Sequence, residues 1–192
     1  LDKLAAEIIN TAIDSGNPPI AVAVKAAREM GFKIFLSYRM NAYYGSDFEK
    51  VFNGSFWWNN PHLRLVEKTG VTQRLSYAYP EVREFALSII LEAVEYGVDG
   101  VNLDFLRHPP FFGYEDILMA GFISEYRINP KGNMSDEQKE LWWRYRAQFM
   151  TSFIRELRDK LDEVEKRTQR EIQISARVDH QNYLEHGLDV ET

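Results

Sequence analysis

The chain has 192 residues, 45% hydrophobic, 14% aromatic and 27% charged, the profile of a folded domain with a sizeable core, which excludes a disordered or low-complexity chain. Lys and Arg number 23 against 29 Asp and Glu, a formal charge of -6, so no general field attracts a polyanion and nucleic acid is not expected as a partner. Cysteine is absent, which excludes disulfides, thiolate metal sites and a cysteine nucleophile.

Pro18 and Pro19 before an apolar run and Gly31 after it predict a helix over 20–30. Residues 33–39 (KIFLSYR) then read as a strand. The next segment, about 40 residues rich in Tyr, Trp, Asn and Gly, reads as a lid or binding loop, because connections of that length are uncommon without a function. Pro80 opens a second helix, with Val82, Phe85, Ala86, Ile89 and Ala93 at helical spacing and Gly97 as its stop. The run 85–94 is the most apolar in the chain, yet Ser88 and Glu92 interrupt it. It is far short of the roughly 20 residues a membrane span needs.

Residues 101–105 form the second predicted strand, and Pro109-Pro110 keeps a helix from beginning at once. Another long loop follows. Ser135 with Gln138 fits a capping box, and Leu141, Tyr145, Phe149, Phe153, Leu157 and Leu161 continue one stripe along a helix ending near Thr168. Trp142 and Trp143, at its start, read as structural. Residues 171–178 (EIQISARV) are the third strand. The chain opens at Leu1 and stops at Thr192 inside what reads as a new segment, so 1–192 is expected to be the central portion of a barrel cut at both ends.

Strand parity carries the fold assignment, because alternate side chains point to opposite faces. Ile34, Leu36 and Tyr38, Val101, Leu103 and Phe105, and Ile172, Ile174, Ala176 and Val178 suit contact with covering helices. The other parity is polar, with Ser37 and Arg39, Asn102 and Asp104, and Gln173, Ser175 and Arg177. An open doubly wound sheet is apolar on both faces, whereas the inner face of a barrel tolerates polar groups near its mouth. The expected fold is therefore α/β, a partial (β/α)8 TIM barrel of parallel strands with long βα loops. Its missing strands would lie outside this sequence, since such barrels have eight strands in about 250 residues. Arg39, Asp104 and Arg177 would converge at the C-terminal rim, where barrel enzymes keep their active sites. Such a cluster either carries chemistry or merely satisfies its own charges.

Several segments resemble a known group: VDGVNLDFLRHP, KIFLSYRMN, SFWWNNP, YPEVREF, SARV and GLDVE, in matching order along nearly the whole chain. They are similar to the bacterial glycosyl-hydrolase-like barrel proteins of the family-10-like group, GHL10. The resemblance implies a (β/α)8 barrel, glycoside hydrolase activity on carbohydrate, and a protein of a kind often exported. It also implies roles for Asp104 as the strand-end acid, Arg107 as the basic residue that follows it, and Arg39 with Asn41 as a strand-end polar pair. The acid usual in the group after that Asn is replaced by Ala42. The segment 99–106 also resembles the chitinase pattern, with Asp99, Gly100 and Asp104 in place, but Leu106 stands where the catalytic Glu belongs. No acid there can protonate a leaving oxygen, so that mechanism is disfavoured.

Tyr43, Tyr44, Phe56, Trp57 and Trp58 crowd the first long loop, and Phe111, Phe112 and Tyr114 the second. Such side chains stack on sugar rings, with Trp57 the chosen platform, or pack into a satellite core. His62, His108, His180 and His186 show no metal-ligand spacing, so no metal is expected. There is no Gly-rich phosphate loop, and no cofactor is expected. His108 is retained as a substrate-binding candidate because it lies four residues past Asp104. Two functions follow. One is a glycoside hydrolase with Asp104 and Asp179 as carboxylates and Arg39, Asn41, Trp57, Arg107, His108 and Arg177 on the substrate. The other is a carbohydrate-binding barrel without hydrolytic activity.

Overall fold

The computed structural model describes residues 2–41, 43 and 53–190. In chain order the elements are α1 (Asp2–Asp14), α2 (Pro19–Glu29), β1 (Phe35–Arg39), α3 (Ser55–Asn59), β2 (Arg64–Glu67), β3 (Gly70–Leu75), α4 (Pro80–Glu95), β4 (Gly100–Asp104), α5 (Asp116–Tyr126), α6 (Asp136–Thr168) and β5 (Gln173–Arg177). The three strands expected from parity form one parallel sheet in the order β1-β4-β5. β1 and β5 are shorter than their sequence patterns, and β4 keeps the expected length but starts and ends one residue earlier. Ile34 lies just outside β1, where its N–H donates to Asp99 Oδ2 at 2.8 Å, while Asp99 N–H returns to Ile34 C=O. Asp99 therefore fastens the N-terminal end of the sheet, opposite the end that carries Asp104.

The apolar parity builds the core. Val101, Leu103, Phe105 and Ile172 are 2% exposed or less and join Ile90 and Val94 of α4 and Phe153, Leu157 and Leu161 of α6 in one cluster. The polar parity faces outward. Ser37, Arg39, Gln173, Ser175 and Arg177 are exposed, and Asn102 is half-buried with its amide donating to Ser175 Oγ. Phe35 lies across Gly100, whose absent side chain leaves room for the ring: a Cβ there would sit 2.3 Å from Cε1.

The helix signals act as the sequence indicates. Ser135 Oγ accepts from Gln138 N–H at 3.3 Å and Ser135 N–H donates to Gln138 Oε1 at 3.0 Å, a complete capping box. Gly97, at φ 94°, ends α4, and Arg28 and Arg170 donate to the C=O of Gly97 and of Val98 beside it.

The two long loops are not loops throughout. The first contains α3, a 3-10 turn at Pro61–Leu63 and an antiparallel hairpin of β2 and β3. The second contains α5. Ahead of the first predicted helix stands α1, which the sequence reading leaves out.

Candidate functional site

In-register pairing sets Arg39 beside Asp104 and Asp104 beside Arg177. The three form one row across the C-terminal ends of the strands, on the polar face, as their parity requires. Neighbouring strands lie roughly 4.8 Å apart, so the two arginines flank the acid on either side. Asp104 is 6% exposed, while Arg39 and Arg177 are exposed. Its Oδ1 accepts from Leu106 N–H at 3.1 Å, an Asx turn that directs the chain out of the strand.

Asn41 is 4% exposed, and its amide donates to Leu75 C=O at 3.2 Å. With Arg39 it lines a cavity of about 250 Å3 between the end of β1, the end of β3 and α4. Asp104 and Arg177 do not line it. The floor is held by Tyr77, 2% exposed, whose hydroxyl donates to Met40 C=O at 2.5 Å. Burial pushes the Tyr77 phenol well above its ordinary value and the neighbouring Tyr38 phenol to about 12.

His108 follows the exposed Arg107 and adopts a left-handed backbone, φ 55°. Its ring meets Tyr43 edge-on at 4.6 Å, and the Arg74 guanidinium lies 5.8 Å from the Tyr43 ring. Desolvation, then the positive charges of Arg74, Arg107 and Arg39, holds the imidazole below its ordinary value of 6.5. A neutral ring at pH 7 can accept a hydroxyl proton or donate one. Asp179 lies beyond β5, and its Oδ1 accepts from Gln181 N–H at 3.1 Å and lies 3.7 Å from His180 Nδ1.

Trp57 is placed differently from a stacking platform. It is 5% exposed, its indole N–H donates to Gln73 C=O at 2.8 Å, and Arg64 covers its ring at 4.0 Å. The exposed indole is its neighbour Trp58, at 49%. Phe111 and Phe112 are fully buried, whereas Tyr114 is half-buried. Ala42 and Tyr44 lie outside the described residues.

Sequence reasoning overlooked Glu115, a carboxylate with 0% exposure. It accepts from Gly113 N–H at 2.9 and 3.1 Å and from Val66 N–H at 3.1 Å, clamping the segment after β4 to the hairpin. Burial raises its pKa although these backbone donors pull the other way. Nothing in the local sequence separates it from the adjacent Asp116; the signal is its surroundings.

The fold and the charged row define an α/β protein with its candidate chemistry at the C-terminal ends of parallel strands. The chain belongs to the glycosyl hydrolase-like 10 family (GHL10), whose profile matches residues 6–189. No curated protein matches it by sequence. Among solved structures it is similar to the alpha-galactosidase from Lactobacillus brevis, at 15% identity and a TM-score of 0.45, over 82% of this chain and 18% of that one. The chain thus spans less than a fifth of that protein's length. Among the described residues no helix is long and apolar enough to cross a membrane.

Proposed function

We propose that the protein to which this chain belongs hydrolyses glycosidic bonds in a polysaccharide or peptidoglycan-like glycan, with Asp104 as one of the two carboxylates. The observation that carries this is the row Arg39, Asp104, Arg177 at the C-terminal strand ends of a glycosyl hydrolase-like chain. Parallel α/β frames bind ligands at that end, because the loops that follow the strands build the walls of the site. We take the three strands as part of a β/α barrel, which would close around the polar face.

Hydrolysis of this kind needs an acid to protonate the leaving oxygen and a second carboxylate, acting either on the sugar or on water. Asp104, between two guanidinium groups, suits the role of the charged partner that stabilises a developing oxocarbenium ion. Asp179, past the end of β5, is proposed as the other carboxylate of the pair, the acid that protonates the leaving oxygen. Arg39, Asn41, Arg107, His108 and Arg177 are proposed to hold sugar hydroxyls, with His108 as a neutral donor or acceptor. A stacking role for Trp57 needs movement of Arg64 off its ring.

Asp104→Asn keeps the shape and removes the charge. In the full-length protein, assayed on a glycan panel for released reducing ends, it should lower turnover by about 100-fold or more and leave glycan binding largely intact. Equal release by wild type and variant would sink the hydrolase assignment. The Asx turn made by Asp104 Oδ1 favours the second possibility, a carbohydrate-binding barrel in which Asp104 shapes the rim. Binding with no release from any glycan would leave that one standing.

A further inference from the structure

Trp143, near the start of α6, is half-buried, and three concavities of about 420, 310 and 250 Å3 meet around it and share Glu185. Together they form a groove past the C-terminal ends of β4 and β5. Tyr114 comes from the segment after β4, Asn182 and Glu185 from the segment after β5, and Glu67 from the end of β2. Neither Arg39 nor Asp104 lines it.

The groove has an aromatic centre, a polar rim and a polar floor. Arg146, 5% exposed, lines the largest concavity; its two terminal nitrogens donate to Phe112 and Glu185 C=O, each at 2.9 Å. The Arg146 Nε–H has no acceptor among the described residues, and the same holds for the indole N–H of Trp142, which lines the second concavity and is 1% exposed. Buried donors left without acceptors are uncommon and costly, but both of these are closed off from the groove, so its ligand contacts fall to the aromatic and rim side chains. An indole face bordered by amide and carboxylate side chains suits a ligand with apolar ring faces and equatorial hydroxyls, which is a sugar. The lining is close to balanced in charge, Glu67, Glu140 and Glu185 against Lys68, Lys139 and Arg146, with Glu67 paired to Arg74 at 2.7 Å, so no large excess of positive charge draws in a polyanion.

We propose that this groove binds an uncharged glycan chain, with one sugar ring stacked on Trp143 and neighbouring hydroxyls on Glu67, Asn182 and Glu185. It shares carbohydrate as the ligand class with the hydrolase assignment but requires no chemistry at Asp104. Under this proposal Trp143 takes a ligand-binding role in addition to the structural one its place in the sequence suggests.

The test is a titration of the full-length protein with cellopentaose, chitopentaose and maltopentaose, with polygalacturonate as the charged comparison, followed by calorimetry and tryptophan fluorescence. At least one uncharged pentasaccharide should bind saturably, with a 10-fold or greater loss of affinity in Trp143→Ala. Because that side chain is half-buried, a second variant keeps the test independent of folding. Asn182→Ala/Glu185→Ala changes two exposed side chains and should weaken binding several-fold with an unchanged circular dichroism spectrum. Unaltered affinity in both variants, binding of polygalacturonate alone, or no binding of any uncharged glycan overturns the proposal. Saturable binding that both variants weaken, without turnover of any glycan, supports the groove and counts only against hydrolysis at Asp104.

Discussion

Glu115 shows how one side chain can hold two segments that the sequence leaves far apart. Its carboxylate takes N–H groups from Gly113 and from Val66 on the hairpin, and it does so at 0% exposure. Burial raises its pKa above the ordinary 4.5, so the folded state holds this proton more tightly than the unfolded state does. Its contribution to stability is then fully present below pH 4.5 and is lost as pH rises through the raised folded value. Glu115→Gln cannot ionise. Urea unfolding measured from pH 4 upward should show the variant gaining on the wild type as pH increases, even if the loss of one backbone contact lowers its stability at acid pH. A constant difference between the two proteins across the series would refute the assignment.

The β2–β3 hairpin depends on close backbone approach at Gly113. A Cβ at that position would lie 2.1 Å from Val66 C=O, a backbone atom that cannot swing aside. Gly113→Ala should therefore push the hairpin from the segment after β4, costing about 1–3 kcal/mol as other overpacked sites do, read as a lower thermal midpoint. Most of the sheet was legible in the sequence, because period-two alternation in 33–39, 101–105 and 171–178 divides each strand into an apolar and a polar face; the register came from the structure. The long helix was legible too, through Ser135, Gln138 and the stripe to Leu161. The hairpin was not: its strands span only Arg64–Glu67 and Gly70–Leu75, with charged and polar side chains breaking the alternation. Helix α5 was hidden for the opposite reason, since DILMAGFISEY is apolar on several sides and shows no clean stripe. The charged row could be read because adjacency across a parallel sheet is a matter of parity. The groove could not, because Glu67, Tyr114, Trp143 and Glu185 come from four separate segments that only packing brings together.

Across the whole molecule, Phe153 joins the long helix to the segment that supports the rim. It is 0% exposed and meets the Tyr77 ring edge-on at 5.4 Å, and Tyr77 in turn holds Met40. Phe153→Ala should cost about 3–5 kcal/mol in chemical unfolding, and a loss below 1 kcal/mol would show that this contact carries little of the core. The two ends of the sheet are built in different ways. At the lower end Asp99 binds Ile34 through both side chain and backbone, its C=O accepts from Gln173 N–H, and Arg28 and Arg170 close the turn before β4. At the upper end Arg39 and Arg177 stand exposed on either side of the buried Asp104, and the chain leaves β4 and β5 in turns rather than in a helix. Amino-acid replacement therefore meets unequal resistance along the same strands. Change near Asp99 breaks the frame itself, whereas replacement of the exposed Arg39, Arg107 or Arg177 leaves the buried frame in place, so the charge of the rim can change while the fold stays the same.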